Sequence, residues 1–393
     1  MWNLRKRCNL YAISIRINVT VAAIVVSAYR KSIIYFFSEI LKGIVIEGLT
    51  IVSLRFIVSV FLVTCITAMA KPVFAVESHA AVLMYHRFGE DTYPSTSIKT
   101  EQFIQQLDFF SANGFTVWPL TKIIDHLQSH TFIPDKTIAI TIDDAYQSVF
   151  QIAYPLMLDR KIPFTLFVSS GVVDKGYSSY MNWEQIKELV DRGVTLGNHT
   201  VNHLHLVEHK DRVESETLVN QERIEKMTGV KPLLFAYPYG EYDLDLANKI
   251  RLFGLTGFGQ HSGPIGEKSD FWALPRFPVS EQFSNLNALM DKLNSLPMPV
   301  TEIKPNETIT NVTMPVMMVT LQKTIKGKET LQCFASGQGA ARIRWVAENR
   351  FTVQAKKPLR VRRSRYNCTI KDSRTGRYFW YSHLWLQPQI SEH

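Results

Sequence analysis

A run of apolar, mostly β-branched residues at positions 137–142 ends in two adjacent carboxylates, Asp143 and Asp144. An uninterrupted run of this kind is typical of a parallel strand that is buried on both faces. Parallel strands belong to α/β folds, in which catalytic and ligand-binding groups lie beyond the carboxyl ends of the strands. The sequence therefore predicts an α/β domain with two acidic side chains at the functional edge of its sheet.

Two further polar motifs follow strand-like segments later in the chain. The first contains His199 and His203, and the second is a Tyr-Pro-Tyr-Gly turn at residues 237–240. Taken singly, an Asp-Asp pair is most often a cap or turn, and such histidines are often incidental. Together, Asp144, His199 and His203 form an oxygen–nitrogen–nitrogen ligand set for zinc or a similar divalent ion. Asp143 is then available as a general base toward an attacking water.

These motifs resemble those of the polysaccharide deacetylases of the NodB-homology type, carbohydrate esterase family 4. The family motif T-F-D-D corresponds to residues 141–144, with isoleucine in place of phenylalanine. Residues 199–206 match the motif H-[ST]-x-x-H-x-x-L in full. The third motif, R-x-P-[YF], is matched at Tyr239 and the proline before it, but Ala236 stands where the family has arginine.

The resemblance, which extends over residues 80–280, implies a distorted (β/α)7 barrel with a metal-dependent hydrolase site. Residues 83–86 are similar to the opening strand of the secreted family branch that acts on biofilm polysaccharides. The implied reaction removes N-acetyl groups from an N-acetylhexosamine polymer and releases acetate. The resemblance also implies a bound ion, zinc first with cobalt or nickel as alternatives. It further implies that the backbone N–H of Tyr239 stabilises the oxyanion.

Two other functions stay open at this stage. An O-acetyl esterase that acts on an acetylated polysaccharide would use the same carbonyl chemistry at the same residues. A non-catalytic glycan-binding protein would account for the missing arginine. Such a protein, however, has no need of a base at Asp143.

Two family roles lack an obvious residue in this chain. The family arginine keeps the catalytic aspartate ionised, because a nearby opposite charge favours the ionised form. Arg276, in the segment Leu-Pro-Arg-Phe-Pro, is the expected substitute for that cation near Asp143. The late histidine that acts as general acid in the family is also missing from its usual place. His261 and His86 are the two candidates for this role.

The N-terminal region has the features of an export signal. Residues 56–70 form an apolar run that is preceded by Arg55 and is short for a membrane span. We expect a signal peptide at residues 52–75 with cleavage after Ala75, and therefore a periplasmic or extracellular protein. The leader as a whole spans residues 1–75. Its first fifty residues are expected to be either a mis-assigned upstream extension or a genuine membrane-associated segment.

Charge is distributed unevenly along the chain, whose formal net charge is +9. Residues 1–75 carry 9 basic and 2 acidic side chains, residues 76–290 carry 18 and 26, and residues 291–393 carry 17 and 7. The net charge thus combines a leader, an acidic deacetylase domain and a basic C-terminal region, and does not indicate nucleic-acid binding. We expect a proline-punctuated linker at 291–315. The basic domain at 316–393 is expected to contact an anionic glycan or a membrane surface.

The C-terminal region contains the only cysteines after the leader, Cys333 and Cys368. In an oxidising compartment these two are expected to form a disulfide. Trp345 and Tyr366 resemble the core tryptophan and the tyrosine corner of an immunoglobulin-like domain. The interval between the cysteines is short for a complete domain of this type. We therefore expect a small, truncated β-sandwich.

Overall fold

A curled, mostly parallel sheet forms the centre of the first part of the protein. The computed structural model describes residues 77–391, which lie within a compact unit that spans Val76–His393. The leader predicted at residues 1–75 falls outside the described residues. Within residues 77–391, no helix is both long enough and apolar enough to cross a membrane.

Eleven strands belong to this first part of the described chain. In order they are β1 (His79–Tyr85), β2 (Arg87–Phe88), β3 (Ser97–Ile98), β4 (Thr116–Val117), β5 (Thr137–Asp143), β6 (Thr165–Val168), β7 (Thr195–Asn198), β8 (Leu234–Ala236), β9 (Thr256–Phe258), β10 (Ile265–Gly266) and β11 (Phe277–Pro278). The main path of the sheet runs β10, β1, β5, β6, β7, β8, β9, while β4 pairs with β5 and β11 with β1. Every pairing in this sheet is parallel except that between β10 and β1.

Helices alternate with these strands, as the sequence predicts. In the described chain they are α1 (Thr100–Ala112), α2 (Leu120–Gln128), α3 (Tyr154–Asp159), α4 (Ser170–Asp174), α5 (Trp183–Asp191), α6 (Asn220–Thr228), α7 (Leu244–Leu252) and α8 (Leu286–Leu293). In α1, Phe103, Leu107 and Phe110 recur at helical spacing and are buried in the core. Gly229, with a φ of 77°, ends α6 in the left-handed conformation that favours glycine.

One segment connects the two ends of the curled sheet. In β9, Gly257 donates a hydrogen bond to Phe271 and accepts one from Leu274, both at 2.9 Å. Shortly afterwards, β11 pairs in parallel with β1. The predicted α/β class is thus confirmed, and the sheet has the form of a curled half-barrel.

The carboxyl ends of three strands carry the predicted motifs. Strand β5 ends at Asp143, β7 ends directly before His199, and β8 ends at Ala236. All residues of β5 are buried, which explains its run of β-branched side chains. The parallel pairing of these strands brings the three motifs to one edge of the sheet, where ligand sites of α/β folds occur.

Two further sheets form the C-terminal part of the described chain. Their strands are β12 (Leu296–Pro297), β13 (Val300–Lys304), β14 (Val316–Leu321), β15 (Gln332–Ala335), β16 (Gly339–Ala340), β17 (Arg342–Ala347), β18 (Arg350–Gln354), β19 (Arg363–Lys371) and β20 (Tyr378–Leu386). One sheet has the order β12, β20, β19, β15, β16, and the other has the order β13, β14, β18, β17. Side chains from both sheets, including Met317, Phe351 and Trp385, form one hydrophobic cluster.

The disulfide between Cys333 and Cys368 is present, but its surroundings differ from the immunoglobulin-like expectation. The two cysteines are direct partners on β15 and β19 of one sheet, whereas the immunoglobulin disulfide joins two sheets. The fully buried core tryptophan is Trp385, while Trp345 is only partly buried at the edge of the cluster. The immunoglobulin-like prediction is therefore wrong for the arrangement of these residues.

The predicted linker at 291–315 contains regular structure. It includes β12 and β13, which pair with β20 and β14 of the two C-terminal sheets. Strand β20 also contacts β11 of the first sheet, because the ring of Trp380 meets that of Phe277 edge-on with centroids 5.2 Å apart. This segment thus joins the sheets instead of spacing them apart. The domain boundaries at residues 290 and 316 stay predictions.

Asn220 connects the carboxyl ends of the neighbouring strands β6 and β7, of which β7 leads into the motif of His199. Its amide donates to the backbone oxygen of Val168 at 2.9 Å and to Asn198 Oδ1 at 2.8 Å, and its Oδ1 accepts from the N–H of Ser170 at 2.9 Å. We predict that Asn220→Ala lowers the free energy of unfolding by about 2 kcal/mol, because buried polar groups lose their partners. The exposed Asn248 provides a control, and Asn248→Ala should change that free energy by less than about 0.5 kcal/mol. Urea denaturation that finds equal stability in the two variants would refute the role of Asn220.

Candidate active site

Three side chains from two motifs converge at this edge of the sheet. Asp144 Oδ1 lies 3.3 Å from His199 Nε2 and 3.5 Å from His203 Nε2. One ligand atom of each residue lies within 4.8 Å of the others. Within residues 77–391, no second group of three acidic, histidine or cysteine side chains has this geometry. The structure therefore brings together the predicted ligand set, which we call the triad.

Hydrogen bonds orient the two histidines as metal ligands. His199 Nδ1 donates to the backbone oxygen of Ala236 at 2.8 Å, which leaves its Nε2 to face Asp144. A hydrogen bond of this kind from the second ring nitrogen is typical of metal-binding histidines. His203 is positioned through its backbone, since its N–H donates to Thr200 Oγ1 at 3.0 Å. The donor set and these orientations fit a divalent cation such as zinc.

The pKa shifts differ among the members of the triad. Burial alone would lower the pKa of His199, but the hydrogen bond to Asp144 and the charge of Asp143 outweigh it and hold this pKa above its ordinary value. Burial and the neighbouring His199 lower the pKa of His203 to about 4, so that its imidazole is neutral at physiological pH. Burial alone would raise the pKa of Asp144, but the hydrogen bond from His199 outweighs it and holds this pKa below its ordinary value. A neutral imidazole and an ionised carboxylate are the forms that bind metal ions.

Left-handed backbone conformations are concentrated in this site. Eight non-glycine residues of the described chain have a positive φ; four of them belong to the three motifs, and a fifth directly follows the first motif. These five are Asp144 (75°), Ala145 (56°), Thr200 (66°), His203 (54°) and Tyr239 (59°). Sparsely populated conformations of this kind cost on the order of 1–3 kcal/mol each and cluster at functional sites. The surrounding packing therefore holds the motif turns in conformations that their local sequence does not favour.

Asp143 forms a buried, bidentate ion pair with Arg276. The guanidinium Nη1 lies 2.7 Å from Oδ1 and Nη2 lies 2.9 Å from Oδ2, and both side chains are fully buried. Arg276 also donates to Thr141 Oγ1 at 3.1 Å and to the backbone oxygen of Gly259 at 3.0 Å. Burial alone would raise the pKa of Asp143, but the Arg276 charge outweighs it and holds this pKa below its ordinary value. Arg276 thus supplies the positive charge that the family has at the position of Ala236, as expected from the sequence.

The two candidates for a general acid occupy different positions. His86, directly after β1, is partly exposed and has its Nε2 4.0 Å from Asp143 Oδ2. His261 lines a cavity of about 310 Å³ whose lining includes neither Asp143 nor any member of the triad. Its ring packs against Tyr242 with centroids 5.7 Å apart, and burial and Arg365 lower the pKa of His261 to about 3. The structure therefore places His86 at the candidate site but turns the predicted acid His261 toward the C-terminal sheets.

Tyr239 lies in a 3-10 turn, Pro238–Gly240, and its ring contacts two histidines. The ring stacks on His205 with centroids 3.9 Å apart and meets His203 edge-on at 4.4 Å. Glu241 directly follows this turn, is buried, and accepts a hydrogen bond from His205 Nδ1 at 2.9 Å. The turn is therefore held against the triad by ring contacts and by a buried carboxylate.

Two arginines of the C-terminal region complete this network. Arg362 donates to both oxygens of Glu241, at 2.6 and 2.8 Å, and Arg363 Nη1 donates to Glu241 Oε1 at 2.9 Å. The Arg363 guanidinium also lies 5.3 Å from the centroid of the Tyr239 ring. Sequence reasoning missed these residues, because Glu241 and Arg362 are 121 positions apart. The contrast between an acidic and a basic part of the chain was the one signal of such a contact.

A family comparison agrees with this geometry. Residues 133–258 match the model of a protein family described as polysaccharide deacetylase. The matched stretch contains Asp143, Tyr239 and all three members of the triad. Residues 133–258 are thus similar to the polysaccharide deacetylase family. The chain is a hydrolase of the deacetylase class.

Two curated relatives carry the same name, poly-beta-1,6-N-acetyl-D-glucosamine N-deacetylase. The protein of Staphylococcus aureus (strain N315) is 22% identical over 235 residues, which cover 52% of this chain and 80% of that protein. The protein of Escherichia coli (strain K12) is 20% identical over 232 residues, which cover 47% of this chain. The match spans only 34% of the length of the Escherichia coli protein.

A solved structure shows the same fold. The Streptococcus pyogenes deacetylase PplD, in complex with acetate, superposes with a TM-score of 0.52 at 20% sequence identity. The superposition covers 56% of this chain and 99% of the Streptococcus protein. At this level of identity, the likeness concerns the fold of the deacetylase region.

We predict that Glu241→Gln lowers the free energy of unfolding by about 3 kcal/mol or more. The substitution removes the buried carboxylate that pairs with Arg362, and breaking one partner of a buried pair costs about 3–5 kcal/mol. Glu208 pairs with the same arginine but is 39% exposed, so it provides a matched control. Glu208→Gln should cost less than about 1 kcal/mol, because exposed pairs contribute little. Equal losses in urea denaturation would contradict this difference between the buried and exposed partners.

Proposed function

We propose that the chain is a metal-dependent hydrolase that removes N-acetyl groups from an N-acetylhexosamine-containing polysaccharide and releases acetate. The observation that carries this proposal is the buried Asp143, held ionised by Arg276 beside the triad. A protein that only binds glycans would gain nothing from such a base, so the pair favours catalysis. The names of the Staphylococcus and Escherichia relatives support an N-acetylglucosamine polymer as the substrate class.

The triad would hold the metal ion, with zinc first and cobalt or nickel as alternatives for these donors. A bound divalent cation supplies Lewis-acid polarisation of the acetyl carbonyl and lowers the pKa of the attacking water. The Ala236 carbonyl and the Thr200 hydroxyl keep the two imidazoles aimed at one point, through the hydrogen bonds described above.

The other roles are assigned to side chains and backbone of this chain. Asp143 accepts a proton from the attacking water, because its lowered pKa keeps it ionised. The N–H of Tyr239, in its left-handed turn, donates to the oxygen of the acetyl group as negative charge develops there. His86, 4.0 Å from Asp143 and partly exposed, delivers a proton to the departing amine. The attacking water thus contributes its hydroxyl group to acetate and one proton, overall, to the free amine.

We also propose that the protein acts outside the cytoplasm. The apolar run at residues 56–70 supports export, and the Cys333–Cys368 disulfide suits an oxidising compartment. Part of the C-terminal basic charge is used within the chain, as in the 2.9 Å ion pair between Arg377 and Asp135. The remaining basic side chains are proposed to contact an anionic glycan or membrane surface.

Acetate release tests the proposed function most directly. The purified full chain would be stripped with a chelator and reconstituted with zinc, cobalt or nickel. Substrates would be poly-β-1,6-N-acetylglucosamine, N-acetylglucosamine oligomers, peptidoglycan and acetylated xylan. We expect metal-dependent release of acetate and an equal amount of free amine from an N-acetylated polymer. Release from acetylated xylan alone would indicate an O-acetyl esterase, and binding without release would indicate a glycan-binding protein.

We predict that Asp143→Asn keeps the metal ion but lowers kcat roughly 10²- to 10⁴-fold, because an amide cannot accept the proton of the water. Asp144→Asn, at the adjacent position, should instead lower the metal content measured by atomic absorption. The two substitutions change neighbouring carboxylates in the same way, so each is the control for the other. Turnover of Asp143→Asn near that of the wild type would assign the base to another residue.

Arg276 is predicted to set the acidic limb of the pH–rate profile. Activity needs ionised Asp143, so the rate falls as the pH drops through its pKa. Arg276→Ala removes the charge that lowers this pKa while burial remains, and the acidic limb should move to higher pH. Arg276→Lys keeps a positive charge without the bidentate contact and should give a smaller shift. An unmoved acidic limb in the alanine variant would show that Arg276 does not control Asp143.

A further inference from the structure

A row of aromatic side chains runs beside the candidate active site. The Arg87 guanidinium lies 4.0 Å from the ring centroid of Tyr93 and 3.5 Å from that of Tyr146. The Tyr146 ring stacks on Tyr180 at 4.9 Å, and Tyr180 in turn lies 6.4 Å from Tyr177. We call these five residues the aromatic ledge.

The inner residues of the ledge are close in sequence to residues of the candidate active site. Arg87 directly follows His86, whose Nε2 lies 4.0 Å from Asp143. Tyr146 lies two positions after Asp144, the carboxylate of the triad. Both of its inner members, Arg87 and Tyr146, therefore lie within two positions of a residue of the candidate active site.

Hydrogen bonds hold the two loops of the ledge in place. Arg87 Nη1 donates to Glu90 Oε2 at 2.6 Å, and Ser148 Oγ donates to the other oxygen of Glu90 at 2.6 Å. On the opposite side, the N–H of Met181 donates to the backbone oxygen of Ala145 at 2.9 Å. A surface that is ordered before binding loses little conformational entropy when a ligand arrives.

The outer rings of the ledge are open to solvent. Tyr93 is 48% exposed and Tyr177 is 51% exposed, whereas Tyr146 and Tyr180 are partly buried between their neighbours. Large aromatic side chains grouped at a surface mark a ligand or partner site, because they offer an apolar face together with a hydroxyl. A pyranose ring has the matching chemistry, with an apolar face of C–H groups and a rim of hydroxyls.

We propose that the aromatic ledge binds hexosamine units next to the unit that is deacetylated, with Tyr93 and Tyr177 as the stacking residues. This inference rests on the proposed function, since it assigns the polymer of that reaction to a surface. The ledge would make the enzyme prefer a chain of several sugars to a single sugar. It would contribute to the binding of the polymer and not to the chemical step.

Direct binding measurements test this proposal separately from catalysis. The full chain with Asp143→Asn would be titrated calorimetrically with an N-acetylglucosamine pentamer and with the monosaccharide. In this background, Tyr93→Ala and Tyr177→Ala should each weaken pentamer binding roughly 3- to 10-fold, because one aromatic contact is lost. Tyr93→Phe and Tyr177→Phe retain the ring and should retain the affinity. Phe132 is 70% exposed outside the ledge, and Phe132→Ala provides the control.

Several results would overturn the ledge as a sugar-binding surface. These are a pentamer that does not bind, an unchanged affinity in both alanine variants, or an equal loss of affinity in the phenylalanine variants. In the active enzyme, Tyr177→Ala should raise KM for the pentamer while kcat stays within about twofold. Pentamer binding that depends on Tyr177, without acetate release by the metal-loaded wild type, would refute the N-deacetylase function and support the ledge.

Discussion

The buried ion pair between Asp143 and Arg276 is the interaction on which the rest of the site depends. Asp143 ends the central strand β5, and Arg276 lies in the segment that connects β9 to β1 at the two ends of the curled sheet. A carboxylate buried there without its cation would be strongly destabilising or would bind a proton. The pair therefore stabilises the sheet and the ionised base together. It also separates two adjacent carboxylates into two roles, since Asp143 faces a guanidinium and Asp144 faces two imidazoles.

Two arginines of the C-terminal sheets contact the turn beside this site. Arg362 and Arg363, at the start of β19, reach the buried Glu241 and hold the turn that carries Tyr239. The basic charge of the C-terminal region is thus partly neutralised by acidic groups of the deacetylase region.

The parts of the site that local patterns encode were predictable, and the parts built by distant pairing were not. The run before Asp143 and the motif from His199 to His203 are local, so their strands and their convergence follow from the sequence. Arg276 was predicted because Ala236 occupies the position of the family arginine, so another residue had to supply the positive charge near Asp143. By contrast, the Cys333–Cys368 spacing does not reveal which strands pair, and it suggested an immunoglobulin arrangement that is absent. For a related reason, the position of His261 after β9 does not show toward which sheet its ring turns.

Locating a bound metal ion tests the central claim most directly. Crystals of the full chain grown with zinc would be measured above and below the zinc absorption edge. We predict one anomalous peak about 2.0–2.2 Å from one atom each of Asp144, His199 and His203, with Asp143 still paired to Arg276. A peak elsewhere, or a zinc ion bound by Asp143 after it has left Arg276, would contradict the separation of ligand and base.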